Sequence, residues 1–352
     1  MERYIAIDNV CAWPNLTLLK DGSIAALCFN RPSHGRFEGE VQCWVSTDGG
    51  YLWEKRGVPV PHESGTNRMN VAAGLTKDGA LIAICSGWGP VPPFGYEQPH
   101  EFNRKVLDSV ISCSFDGGKT WIQGGSIDKP EGVMGFMPYG DIVQISEGVL
   151  GVCFHTWGDW TDKGVKGFPN FTSYFVKSYD DGKTWVDPVV IGRDDRGMAI
   201  NNNETAVICL DKNHLLAAAR TLDDQHLELY ESKDSGMSWI RKGPVTLPFQ
   251  HPGHFLKLKD GSILLTYGIR NKGFYGIGGR ISRDNGENWS EPIFLLNFEI
   301  ATDGGYPSSV QLDDGTIVTA YYSNKVPYHN RYHMGVIHWK LDEFGEIRYK
   351  QP

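Results

Sequence analysis

The sequence predicts an all-β chain folded as a six-bladed β-propeller. Three observations predict it. A Ser-x-Asp-x-Gly-x-x-Trp motif recurs five times, a second series of six tight turns lies between apolar runs, and no long amphipathic helical pattern interrupts them.

The motif reads STDGGYLW (Ser46 to Trp53), SFDGGKTW (Ser114 to Trp121), SYDDGKTW (Ser178 to Trp185), SKDSGMSW (Ser232 to Trp239) and SRDNGENW (Ser282 to Trp289). Each copy has the chemistry of a hairpin turn. The Asp accepts from backbone N–H groups, Gly takes a positive φ, and Trp packs back on the sheet. Asp48, Asp116, Asp180, Asp234 and Asp284 are therefore read as structural, and the motif as an Asp-box hairpin.

The second series ends at Gly22, Gly79, Gly148, Asn213, Gly261 and Gly315. Each turn follows one apolar strand and precedes another, as in NLTLLKDGSIAALCF and SVQLDDGTIVTAYY. Six such units, five of them extended by an Asp-box hairpin, make six blades of about four strands each. The last unit lacks an Asp box, and the N-terminal Tyr4 to Ile7 is expected to supply its outer strand and close the ring. With no linker or low-complexity segment, residues 1–352 are expected to form a single domain.

Composition narrows the function. Hydrophobic residues at 40 % and charged residues at 22 % describe a globular chain, not a disordered or collagen-like one. Lys+Arg at 34 against Asp+Glu at 42 gives a net charge of −8, which argues against nucleic acid or an anionic membrane as partner. MERYIAIDNV holds no apolar run fit for a signal peptide, so a cytoplasmic location is expected, or a secreted one if a leader has been removed. The seven cysteines are odd in number, form no CxxC pair and mostly sit in apolar runs, so they read as reduced core thiols. Neither a metal site nor a cofactor is expected.

A ruler laid on the six turns locates the site. Nine positions before each turn residue stand Trp13, Asn70, Tyr139, Glu204, Pro252 and Tyr306. If the first strand of each unit is innermost, these residues face the axis. A Glu, two Tyr and an Asn converging there look like a binding site rather than a packing layer.

Asp boxes alone support only the fold, but four further segments resemble the sialidase (neuraminidase) superfamily. NETAVICLDKNHLLAAAR resembles its Asn-Glu strand, with Glu204 followed sixteen residues later by Arg220. GGRISRDNGENW places Arg280 just before an Asp box, where the resemblance implies the last Arg of a carboxylate-binding triad. YPSSVQLDDG resembles the strand that opens with a nucleophilic Tyr, here Tyr306, and MGVIHWKL resembles the closing strand. The resemblance implies a sialidase-like exo-glycosidase acting on a glycan with an acidic terminal sugar. Tyr306 would be the nucleophile and Glu204 its base, with Arg220, Arg280 and Arg31 as carboxylate contacts.

The chemistry is coherent. A sialoside carries its carboxylate on the anomeric carbon, so a carboxylate nucleophile would meet repulsion that a Tyr hydroxyl avoids, and sialidases are the known Tyr-nucleophile exception. A planar guanidinium matches a carboxylate bidentately.

Two departures stand out. Ala12 lies where the family's Arg-Ile-Pro motif carries its first triad Arg. NRPSHGRFEGE offers Arg31 but no following Asp before Asp48, leaving His34, Glu38 and Glu40 as proton-transfer groups; Glu38 is taken as the acid. Arg68 and Asn70 in TNRMN, and His251 and His254 in QHPGHF, are further candidate contacts, His254 for substrate. Two alternatives remain open: a uronic-acid-directed lyase or glycosidase using His251 or His254 with Tyr306, and a carbohydrate-binding propeller without turnover.

Overall fold

A computed structural model describes residues 1–96, 104–133, 135–157, 171–193, 197, 200 and 202–344. The described residues are almost entirely strand and turn; the one helical element among them is a 3-10 turn at Leu341–Phe344. No helix among them is long and apolar enough to cross a membrane.

Each turn of the second series joins two antiparallel strands, because its flanks are runs of β-branched and aliphatic residues; five of the six turns hold a left-handed glycine, and the fourth holds Asn213 instead. Gly315, at φ 86°, is one of them. Cys11–Leu18, Ile24–Phe29, Gly39–Ser46 and Glu54–Gly57 pair in that order. Asn202–Asp211 to Ile240–Pro244, and Gln250–Lys257 to Ile293–Asn297, repeat the arrangement. Two further antiparallel runs fuse into one nine-stranded sheet, because Gly140–Ile142 pairs in parallel with Ala72–Gly74. Gly304–Gln311, Ile317–Ser323 and His333–Trp339 complete the set, and the N-terminal Glu2–Asp8 pairs antiparallel on the last of them. The opening strands contact one another in chain order, and Gly304–Gln311 returns to touch Cys11–Leu18. The arrangement is propeller-like.

Both faces of these sheets are apolar, and the core lies between successive sheets. Ile24–Phe29 is buried at every residue. Ala25, Leu27, Val41 and Cys43 pack on Val71, Ala73, Leu81 and Cys85 of the next sheet. At the seam between the two ends of the chain, Ile7, Leu16 and Ile24 pack on Val310, Val318 and Val336. All seven cysteines are free, five of them buried.

The Ser-Asp-Gly-Trp motifs share one hydrogen-bond pattern. In the third copy Ser178 Oγ donates to Asp180 Oδ1 at 2.8 Å and accepts from Gly182 N at 2.8 Å. Lys183 N and Thr184 N donate to Asp180 Oδ1 at 3.1 and 2.8 Å, and Trp185 Nε1 closes the turn on Gly182 O at 3.1 Å. Gly182 has φ 91°, and a Cβ there would meet Ile82 Cδ1 at 2.3 Å, so the position demands glycine twice over. The fourth copy differs: Trp239 Nε1 has no partner, and its ring lies edge-on to Phe175 instead. Asp48, Asp116, Asp180, Asp234 and Asp284 are all exposed. Asp180→Ala is expected to lower stability by about 1–2 kcal/mol, since several turn N–H groups lose their acceptor, and to leave ligand binding unchanged. Urea denaturation beside ligand titration checks this.

Candidate active site

Tyr306 does not sit in the regular ladder of its strand. The register shifts between Gly305 and Ser308, Gly305 has φ 110°, and Tyr306 itself has φ 51°. A bulky residue in the left-handed region is uncommon and is characteristic of functional positions. The bulge re-aims the side chain inward. The Tyr306 hydroxyl donates to Glu204 Oε1 at 2.6 Å. Glu204 is presented by a second bulge, between Asn202 and Thr205. Arg220, on the neighbouring strand, donates through Nη1 to Glu204 Oε2 at 3.1 Å and reaches the Tyr306 oxygen at 3.5 Å.

Burial opposes the charge on Glu204, but the Arg220 guanidinium and the Tyr306 hydroxyl hold its carboxyl down at about 2. Burial, then the Glu204 charge, push the Tyr306 phenol well above its ordinary value, with Arg220 and Arg270 pulling the other way. The resting pair is thus a neutral phenol donating to a carboxylate. Cationic neighbours alone would favour a tyrosinate; here burial and Glu204 outweigh them. Proton transfer to Glu204 must accompany attack by the oxygen.

The wall around the pair is aromatic. Trp13, Tyr139 and Tyr322 rings lie 5.2, 6.3 and 5.6 Å from the Tyr306 ring. A small cavity beneath them is lined by Trp13, Asn15, Tyr139, Asp141, His254 and Tyr306. Arg270 lies over the Tyr306 ring at 5.5 Å, an attractive cation–π distance, and its Nη2 donates to Gly304 O at 3.0 Å. Arg270 Nη1 also donates to His251 Nδ1 at 3.4 Å, so the proton of neutral His251 is on Nε2. Burial, then the charges of Arg220 and Arg270, hold His251 far below its ordinary pKa. His254 Nδ1 accepts from Ser309 N at 3.3 Å while Nε2 faces Asp141 Oδ2 at 3.0 Å. His155 is pushed down to about 4 by burial.

The structure brings Trp13, Tyr139, Glu204 and Tyr306 together and departs from expectation elsewhere. Arg280 is not beside the pair: its Nη1 donates to the Val245 carbonyl at 3.1 Å. It lies on the third strand of its unit, Phe274–Ser282, whereas Arg270 and Arg220 are each the penultimate residue of a second strand. Arg270 was legible from that parallel. Pro252 does not line the cavity; Gly253 and His254 of the same strand do. Asn70 lies on the one opening strand without a register shift and bonds Ser86 Oγ at 3.4 Å and Met137 Sδ at 3.3 Å. Arg68 donates to Asp108 O at 2.8 Å, and Arg31 donates to Glu38 O at 3.1 Å beneath the Phe94 ring. Glu38 Oε1 accepts from Gly65 N, and Glu40 Oε2 is 2.7 Å from His62 Nδ1. Neither carboxylate contacts Tyr306. Among the described residues no group of three or more His, Cys, Asp or Glu is placed to hold a metal ion.

A family model for the BNR repeat-like domain matches residues 114–319, more than half of the chain. The chain belongs to that family. No curated protein matches the sequence. Among solved structures, this BNR-repeat protein is similar to a protein of unknown function from Dyadobacter fermentans, with 22 % identity, a TM-score of 0.79, and 99 % of this chain and 98 % of that one covered. It is similar to the Hadza microbial sialidase Hz136, with 17 % identity, a TM-score of 0.69, and coverage of 97 % and 69 %. It is also similar to Trypanosoma rangeli sialidase in complex with sialic acid, with 16 % identity, a TM-score of 0.66 and 96 % of this chain covered. The chain spans about 55 % of that trypanosomal protein. The BNR repeats and the sialidase fold thus agree with the superfamily resemblance carried by the sequence motifs.

Proposed function

We propose that this BNR-repeat protein is a single six-bladed propeller domain, with its five Asp boxes on the rim, and acts as a sialidase-type retaining exo-glycosidase on an acidic terminal sugar of a glycan. The closed order of contacts among the opening strands supports the blade count. One observation carries the activity: the Tyr306 hydroxyl 2.6 Å from Glu204, with Arg220 bonded to that carboxylate at 3.1 Å. Tyr306 attacks the anomeric carbon as Glu204 takes its proton, and the positive field of Arg220 and Arg270 receives the sugar carboxylate. Trp13, Tyr139 and Tyr322 give the ring an apolar, aromatic seat.

The lyase reading needs a histidine with a free lone pair as base. His251 and His254 each spend Nδ1 as an acceptor, so their Nε2 atoms carry the proton, and the geometry favours glycoside cleavage.

The test is a panel of fluorogenic acidic glycosides run beside an assay for unsaturated uronate. Release of the fluorophore supports the proposal, whereas appearance of unsaturated uronate alone, or binding without turnover, sinks it. Two arginines rather than three should weaken recognition of ordinary sialosides. One lost charge-assisted contact costs about 1.5–3 kcal/mol, or roughly ten- to a hundredfold in affinity. Sialic acid titrated calorimetrically against a three-arginine sialidase checks this.

A further inference from the structure

The proposed reaction needs an acid to protonate the leaving oxygen, and the carboxylates of the first unit are engaged elsewhere. Another cluster adjoins the rings around Tyr306. Asp303, three residues before Tyr306, accepts from three groups that converge from separate segments. His34 Nδ1 lies 3.0 Å from Oδ2, Tyr332 Oη donates to Oδ2 at 2.7 Å, and Tyr322 Oη donates to Oδ1 at 2.9 Å. The His34 ring stands edge-on to Trp13 at 5.4 Å and to Tyr322 at 6.5 Å, two of the three rings around Tyr306. Its side chain is 42 % exposed, so a bound glycan can reach it.

We propose that His34 is the acid and base of the reaction and that Asp303 is its positioning residue, an inference that rests on the glycosidase reading above. Two tyrosine hydroxyls fix the Asp303 carboxylate, the carboxylate fixes the imidazole through Nδ1, and Nε2 is the nitrogen left to face substrate. A carboxylate that orients a histidine through Nδ1 also stabilises the imidazolium. In the first step the Tyr306 oxygen bonds the anomeric carbon as the bond to the leaving oxygen breaks. The Tyr306 proton passes to Glu204, and the leaving oxygen takes the Nε2 proton of the His34 imidazolium. In the second step water attacks the anomeric carbon and gives a proton to His34 Nε2. The bond to Tyr306 breaks, and Glu204 returns the proton to the phenol. Both groups end as they began. A histidine in place of a carboxylic acid keeps negative charge away from the mouth of a site that binds an anionic sugar.

The experiment compares two glycosides of one acidic sugar, an alkyl glycoside whose leaving group needs protonation and an aryl glycoside of a strongly acidic phenol that does not. His34→Gln is expected to lose about 10²–10⁴-fold on the alkyl glycoside and less than about tenfold on the aryl one. Added azide should restore turnover of the covalent intermediate, releasing the glycosyl azide. Asp303→Asn should show the same split between leaving groups, with no further alkyl loss in the double variant, a pattern that general loosening of the fold would not give. Glu38→Gln should behave as the parent. His34→Gln turning over the alkyl glycoside within about threefold of the parent, or the split appearing in Glu38→Gln instead, would overturn the proposal while leaving the Tyr306 reading intact. A parent protein inert on both glycosides, and unchanged by Tyr306→Phe, overturns the glycosidase reading and His34 with it.

Discussion

Tyr306→Phe is expected to reduce turnover of an activated acidic glycoside by about a thousandfold or more, with the fold intact. The substitution deletes one oxygen. The ring keeps its packing against Trp13, Tyr139 and Tyr322 and its place under Arg270. Glu204 loses a 2.6 Å donor but keeps Arg220, so no buried charge is orphaned. The stability loss should stay near the worth of one hydrogen bond to a charged group, about 1.5–3 kcal/mol. Affinity for the free sugar should change little, because Arg220 and Arg270 remain. Stopped assays with an aryl glycoside, thermal denaturation and calorimetric binding separate the three quantities. A Phe variant that turns over at the parent rate would remove Tyr306 from the chemistry and leave the pair as a structural contact.

Of the six residues nine positions before a turn, Trp13, Tyr139, Glu204 and Tyr306 reach the site, whereas Pro252 lies in a register shift like theirs and yields its place to His254. Trp13, Tyr139, Glu204 and Tyr306 all lie within or beside register shifts, between Cys11 and Asn15, Tyr139 and Val143, Asn202 and Thr205, and Gly305 and Ser308. Asn70 sits in an unbroken ladder, so its side chain stays with its neighbours. Local sequence does not announce a bulge, because the extra residue is set by packing against the neighbouring sheets. Arg280 was misplaced for a different reason: two residues before its Asp box it pairs with Leu265 at the box end of the strand, whereas Arg270 pairs with Tyr275 at the opposite end. The His34–Asp303 contact spans 269 residues and carries no local pattern, so only the closed ring reveals it. The turns, by contrast, were legible throughout, since each Asp-box contact lies within four residues.

Arg220 is where stability and chemistry meet. Arg220→Met is expected to destabilise the protein by about 3–5 kcal/mol at neutral pH, because it strands the Glu204 charge in a buried site. The pH dependence should then change sign. In the parent the Glu204 carboxyl is depressed from its ordinary 4.5 to about 2. Its contribution to stability is therefore complete above pH 4.5 and is lost as pH falls toward 2. Without Arg220 the desolvation already opposing that charge dominates, and the folded-state pKa rises above the unfolded one. The contribution of Glu204 in the variant is then present below pH 4.5 and is lost as pH rises through the new value. Lowering the pH from 7 to 5 should stabilise the variant relative to the parent. Protonated Glu204 cannot accept the Tyr306 proton, so turnover of the variant should fall as pH drops through the new value while its stability rises. Urea unfolding of both proteins at pH 7 and pH 5 decides the point: parallel changes in the two midpoints would mean that Arg220 does not hold the charge on Glu204.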